Sequence, residues 1–129
     1  FGHGMGYTGF VYRNARLSAN TLAEGGEVKV CVTVKNSGAV RGAEVVQLYI
    51  SDETGAPIAG GRVPQVLRGF SKVWLDPGEE RDVEFVLTAR DLAHYDPTRR
   101  AWHTAPGRYL LRLGHTSRDI RASLGLVFG

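Results

Sequence analysis

Apolar and polar residues alternate with a period of two along much of the chain. The clearest segment runs from Glu27 to Asn36, where every second residue is a valine and Lys, Cys, Thr and Lys stand between them. Successive side chains of a β-strand point to opposite faces, so this segment is predicted to be a strand that buries its valines. Apolar residues at helical spacing are scarce.

Six further segments show strand-like patterns, and residues suited to turns separate them. The predicted strands are Tyr7–Leu17, Glu44–Ile50, Gln65–Leu75, Arg81–Thr88, Arg108–Gly114 and Asp119–Phe128. Asp76-Pro77-Gly78 is predicted to be a tight turn, because proline fits its second position. We also expect a helical turn at Ala89–Leu92 and a short hairpin whose tip lies at Asp96–Arg99.

About seven strands, with turn signals roughly every 8 to 12 residues, are typical of one fold class. The prediction is an all-β, immunoglobulin/fibronectin type III-like sandwich of two antiparallel sheets. We expect a single domain over residues 1–129, with residues 1–6 as the end of a linker. The glycine-rich start without an initiator Met suggests a piece of a longer protein. Its compartment is therefore left open.

Charge and hydropathy exclude two classes of partner. The formal net charge is +3, and the basic residues are scattered, with Arg99-Arg100 as the densest pair. This pattern is far from a polybasic stripe, so we expect no nucleic-acid binding. No apolar run approaches the roughly 18 residues of a membrane span, so no membrane partner is expected either.

The residues that carry enzyme chemistry form no recognisable site in the sequence. The four histidines lack the spacing of a zinc motif, and the lone Cys31 is expected to be a half-buried, inert thiol. Acidic residues stand at turns or on exposed strand faces, without the enclosed carboxylate pair that glycosidic hydrolysis requires. We therefore assign no catalytic, cofactor-binding or metal-binding residue.

The aromatic residues allow two interpretations. Trp74, Tyr95, Trp102 and Tyr49 either fill the core or an interface, or present a platform for sugar rings. The period-two pattern predicts no row of aromatics on one sheet face, which favours the first interpretation.

Several motifs resemble, in the correct order, those of the C-terminal domain of family 3 glycoside hydrolases. They are Phe1–Thr8, Asn36-Ser37-Gly38 followed by Gly42–Tyr49, Leu67–Val73 followed by Leu75–Glu79, Pro106-Gly107 with Tyr109, and Gly114 with Ser117–Ile120. The resemblance implies a fibronectin type III-like accessory domain without catalytic residues. In that family the nucleophile and the acid/base belong to other domains, which would be the partners of this chain. The parent would be of β-glucosidase or β-xylosidase type and would act in carbohydrate metabolism.

Two stretches are candidates for contact with those catalytic domains. The first comprises Arg62, Val63, Pro64 and Val66, and the second comprises Arg99, Arg100 and Trp102. Both combine apolar residues with arginine, as interfaces do, and Trp and Arg often carry most of an interface's energy. Alternatively, Trp102 closes the bottom of the sandwich. A carbohydrate-binding module that uses Trp102 and Tyr95 is the second functional hypothesis, and a free-standing adhesion domain is the third.

Overall fold

The computed structural model describes residues 9–52, 65–96, 100–104, 106–116 and 118–129. The strands are β1 (Phe10–Leu17), β2 (Thr21–Leu22), β3 (Val28–Asn36), β4 (Gly42–Asp52), β5 (Gln65–Leu75), β6 (Glu80–Leu87), β7 (His94–Asp96), β8 (Ala101–His103), β9 (Gly107–Thr116) and β10 (Asp119–Phe128). A single 3₁₀ turn spans Ala89–Leu92 within these ranges. The seven strands with eight or more residues correspond to the seven that the sequence predicts, and the helical turn is confirmed.

The strands form a sandwich of two sheets. One sheet has the order β1-β3-β6 and the other has the order β2-β10-β9-β4-β5, while β7 and β8 pair as a separate hairpin. The pairings are antiparallel except for the short contact of β2 with β10, which is parallel. The predicted fold class is therefore confirmed.

The core lies between the inward faces of the two sheets. Three strands bury the alternate residues that their patterns predict: Val28, Val30, Val32 and Val34 of β3, Val46, Leu48 and Ile50 of β4, and Tyr109, Leu111 and Leu113 of β9. From β6, Val83 and Leu87 are buried, while Phe85 packs against the core from a half-buried position. Alternation in the sequence thus identifies the buried face of these strands.

A buried asparagine joins two of the turns. Asn36 is fully buried, and its Nδ2 donates hydrogen bonds of 2.9 Å to the carbonyl oxygens of Val40 and Leu75. Its Oδ1 accepts a bond of 2.8 Å from the Gly38 amide, so both ends of the side-chain amide are satisfied. The predicted turn at Asp76-Pro77-Gly78 lies alongside, with Gly78 at a φ of 82° that favours glycine.

A β-bulge interrupts β5. Leu48 pairs with Gly69, but the next residue, Tyr49, pairs with Leu67, so Arg68 has no opposite residue on β4. An extra residue of this kind changes which side chains face inward on either side of it. The bulge thereby places the Arg68 side chain toward the 3₁₀ turn instead of along the sheet.

Candidate functional site

Three of the seven predicted contact residues are described, and all three are exposed. Arg62, Val63, Pro64 and Arg99 lie outside the described residues. Val66 begins the exposed part of β5, at 44% exposure, and Trp102 on β8 is 68% exposed. Arg100 precedes β8 and is also exposed, with a φ of 54°. Their role in an interface remains a prediction.

Of the predicted contact residues, Trp102 lines a groove in the described part of the chain. Leu67, next to Val66, and Trp102 line the same cavity of about 540 Å³, together with Arg68, Arg90, Asp91 and Ala93. A second cavity of about 710 Å³ adjoins it and shares Arg90, Ala93 and Trp102. We call the two cavities together the Trp102 groove.

Arg68 is the polar group that the sequence analysis missed. Its Nη2 donates a hydrogen bond of 2.9 Å to the carbonyl oxygen of Ala93. Its Nε is buried and has no hydrogen-bond partner, the one such side-chain atom found among the described residues. The guanidinium reaches the groove because of the bulge. The alternation of apolar and polar residues along β5 therefore does not predict the position of Arg68.

The prediction that no aromatics share a sheet face is wrong. Phe70 and Trp74 both point outward from β5, at 70% and 50% exposure, because Val73 and Leu75 occupy the inward positions. Trp74 is not a bare platform, since Lys72 and Arg41 place their charges 5.3 and 5.7 Å from its ring centroid. Phe70 was not among the aromatic residues that the sequence analysis considered for a sugar platform.

A polar cluster lies at the other end of the core. Glu44 of β4 is 3% exposed, accepts a hydrogen bond of 2.7 Å from the Tyr12 hydroxyl, and lies 2.9 Å from Nδ1 of His115. Burial, and then the bond to Glu44, raise the pKa of Tyr12 far above its usual value. Arg121 contacts the Tyr12 ring at 5.6 Å. This cluster joins strands of both sheets, and a role in stability explains it.

Several exposed carboxylates are paired with arginine. Glu80 pairs with Arg13, Asp82 with Arg16 at 3.3 Å, and Asp119 with Arg121 at 2.7 Å. The hydroxyl of Thr33 and then Arg16 lower the pKa of Asp82, and Arg121 lowers the pKa of Asp119. These shifts are opposite to the raised pKa of a glycosidase general acid.

Cys31 is half-buried, as predicted. Its Sγ lies 3.6 Å from a carboxylate oxygen of Glu84, and burial followed by Glu84 raises its pKa. The neighbouring lysines therefore do not activate it, and the thiol is a weak nucleophile at neutral pH.

The described residues contain neither a metal cluster nor a membrane-spanning helix. No group of three or more His, Cys, Asp or Glu side chains suited to a metal ion occurs among them. In the same ranges, no helix has the length and apolar character to cross a membrane.

Comparison with known proteins assigns the sandwich to a family. The family of the fibronectin type III-like domain matches residues 44–117 of the chain. The chain belongs to this family. The fibronectin type III-like domain described here is also similar, over 93% of its length and at 39% identity, to thermostable β-glucosidase B of Acetivibrio thermocellus.

Solved structures agree over the whole domain. The β-glucosidase of Listeria innocua in complex with glucose has a TM-score of 0.82 at 31% identity, and covers 100% of the chain. The GH3 β-glucosidase of Bifidobacterium adolescentis has a TM-score of 0.80 at 32% identity, and covers 99%. The fibronectin type III-like domain spans only 16% to 18% of the lengths of these three proteins.

Proposed function

We propose that this chain is the non-catalytic accessory domain of a family 3 glycoside hydrolase of the β-glucosidase type. One observation supports this most directly: nearly the whole chain matches a segment of about a sixth of several β-glucosidases. A segment of that size leaves most of such an enzyme to other domains. In the proposed enzyme those domains cleave the β-glucoside, and this domain packs against them.

The described residues fit a supporting role better than a catalytic one. Their buried carboxylate, Glu44, is held by Tyr12 and His115 at 2.7 and 2.9 Å. Glycosidic hydrolysis by the usual mechanism needs a second carboxylate across a cleft, whereas Asp119 near this cluster is bound by Arg121 at 2.7 Å. The exposed Trp102 and Phe70, in contrast, are the kind of residue that anchors a protein interface.

The test is to recover the parent gene and compare three proteins. The full-length enzyme should hydrolyse an aryl β-glucoside, and the chain of residues 1–129 alone should not. The enzyme without those residues should be obtained in lower yield or should melt at a lower temperature. Turnover by the isolated chain that disappears in Glu44→Gln would contradict the proposal, as would a parent that has no hydrolase domain.

Carbohydrate binding is the second candidate function, and the outward Phe70 and Trp74 on one face of β5 are the observation in its favour. The two cations beside Trp74 reduce the ring area available for stacking. Retardation of the isolated chain in a gel that contains β-glucan, abolished by Phe70→Ala or Trp102→Ala, would support this function. Unchanged migration would leave the accessory role as the better account.

A further inference from the structure

Strand β5 carries a large share of the exposed apolar surface. Among the described residues, nine large apolar side chains are exposed, and four of them belong to this strand: Val66, Leu67, Phe70 and Trp74. Phe70 and Trp74 are the largest of the four and are exposed at 70% and 50%. A concentration of exposed apolar side chains on a folded domain usually marks a site of interaction.

The alternation of side chains along β5 places both rings on one face. Val73 and Leu75 are buried in the core between the sheets. Successive side chains of a strand point to opposite faces, so Phe70, Lys72 and Trp74 point away from that core together. We call these three residues the β5 face.

The strand that carries this face is also an edge strand. It ends the order β2-β10-β9-β4-β5, and within the described ranges it pairs with β4 alone. Native proteins usually protect edge strands with charged side chains or cover them with another element, because an exposed apolar edge promotes aggregation. Lys72 supplies one such charge, yet half or more of Phe70 and of Trp74 stays exposed. We therefore expect this face to be covered in the complete protein.

The charges around Trp74 narrow the choice of what covers the β5 face. The Lys72 ammonium and the Arg41 guanidinium lie 5.3 and 5.7 Å from the Trp74 ring centroid, and Asp76 pairs with Arg41 at 3.1 Å. A sugar stacks on an open ring, and these cations occupy part of this one. A second copy of the chain, related by a twofold axis through the middle of the face, would bring two Lys72 side chains together. Like charges that meet in an interface are costly. An apolar surface of a different domain meets neither obstacle.

We propose that the β5 face packs against an apolar surface of another domain of the same polypeptide, with Phe70 and Trp74 as its anchors. Aromatic anchors surrounded by polar groups are typical of protein interfaces. This inference rests on the proposed accessory role and names the surface through which that role is exerted. The chain covers only about a sixth of the lengths of its relatives, so the larger part of such an enzyme is available to cover the face.

Photo-cross-linking in the full-length enzyme tests this directly. Phe70→p-benzoylphenylalanine keeps an aromatic ring at the position and, on irradiation, bonds to a C–H group in contact with it. We expect a cross-linked peptide between position 70 and a residue outside 1–129, in a product that migrates as one polypeptide on a denaturing gel. Val86→p-benzoylphenylalanine, at 47% exposure on β6 of the other sheet, is the matched control and should give no such product. Cross-links from position 70 that join two polypeptides, that stay within residues 1–129, or that do not form at all would overturn the proposal.

Thermal melting separates this inference from the proposed function. Phe70→Ala should lower the melting temperature of the full-length enzyme but leave that of the isolated chain nearly unchanged, because the side chain is 70% exposed there. If deletion of the domain destabilises the enzyme and Phe70→Ala does not, the accessory role stands and the β5 face is not its contact. If the isolated chain binds β-glucan and Phe70→Ala abolishes that binding, the occupant is a sugar and the proposal is wrong.

Discussion

The hydroxyl of Tyr12 donates a hydrogen bond of 2.7 Å to the carboxylate of Glu44, and this bond crosses from one sheet of the sandwich to the other. Tyr12 belongs to the edge strand β1. Glu44 belongs to β4, and only 3% of its surface is exposed. A carboxylate in this position is tolerated only with partners. Tyr12 and His115 supply them, so the cluster closes one end of the core.

Glu44→Ala should therefore destabilise the domain by about 1–3 kcal/mol, because it leaves the half-buried Tyr12 hydroxyl without its acceptor. Urea unfolding of the isolated chain measures the effect. Glu27→Ala, at an exposed position, is the control and should change the free energy of unfolding by less than about 0.5 kcal/mol. Equal losses for the two variants would show that the Glu44 cluster contributes nothing specific.

The two faces of β3 should respond very differently to a negative charge. Val32 is fully buried opposite Val83, so Val32→Asp should cost several kcal/mol and is expected to prevent stable folding. Lys29→Asp, on the exposed face of the same strand, should be tolerated. Denaturant melts of both variants check this, and similar destabilisation would mean that the strand register is wrong.

The sequence predicts the strands of this domain far better than it predicts the groove. Alternation locates β3 and β9, because each has one face in the core. It fails on β5, where the bulge at Arg68 shifts the alternation and where Phe70 points outward although it is apolar. Alternation places Glu44 on the same face of β4 as Val46 and Leu48, but it contains no signal for the residues that bind the buried carboxylate. Its partners Tyr12 and His115 are distant in sequence, and only the pairing of strands brings them together.

Cys31 should react slowly with thiol reagents in the folded chain. Burial is the larger cause of its raised pKa and Glu84 the second, so Glu84→Gln should speed the reaction with a disulfide reagent near pH 8 without reaching the rate of the unfolded chain. Glu24→Gln, at an exposed position outside the sheets, is the control and should leave the rate unchanged. If Cys31 reacts as fast in the folded chain as in the unfolded chain, its pKa is not raised by the fold.

Acid should weaken the fold through Asp82 and Asp119. Both carboxyl groups have a pKa below the ordinary value of 3.8, so the folded state binds fewer protons than the unfolded state just below that pH. Their contribution is present above pH 3.8 and is lost as the pH falls through the folded pKa values. Thr33→Val removes the hydrogen bond of 2.6 Å from the Thr33 hydroxyl to Asp82, which is the main cause of the lowered pKa of Asp82. The variant should show a smaller loss of unfolding free energy between about pH 5 and about pH 2 than the original chain. If the unfolding free energy of the variant falls with pH as steeply as that of the original chain, groups other than Asp82 cause the loss.

Trp102→Ala should have different effects in the isolated chain and in the full-length enzyme. The ring is 68% exposed on the short strand β8, so its removal from the isolated chain uncovers little core and should shift the melting temperature only slightly. In the full-length enzyme we expect a clear decrease in melting temperature or yield, because an exposed Trp beside arginines is a typical interface anchor. Val127→Ala, at 44% exposure on β10, is a matched control for the loss of exposed apolar surface and should behave alike in both proteins. If Trp102→Ala destabilises the isolated chain as much as the enzyme, the ring stabilises the sandwich itself, and the interface must lie elsewhere.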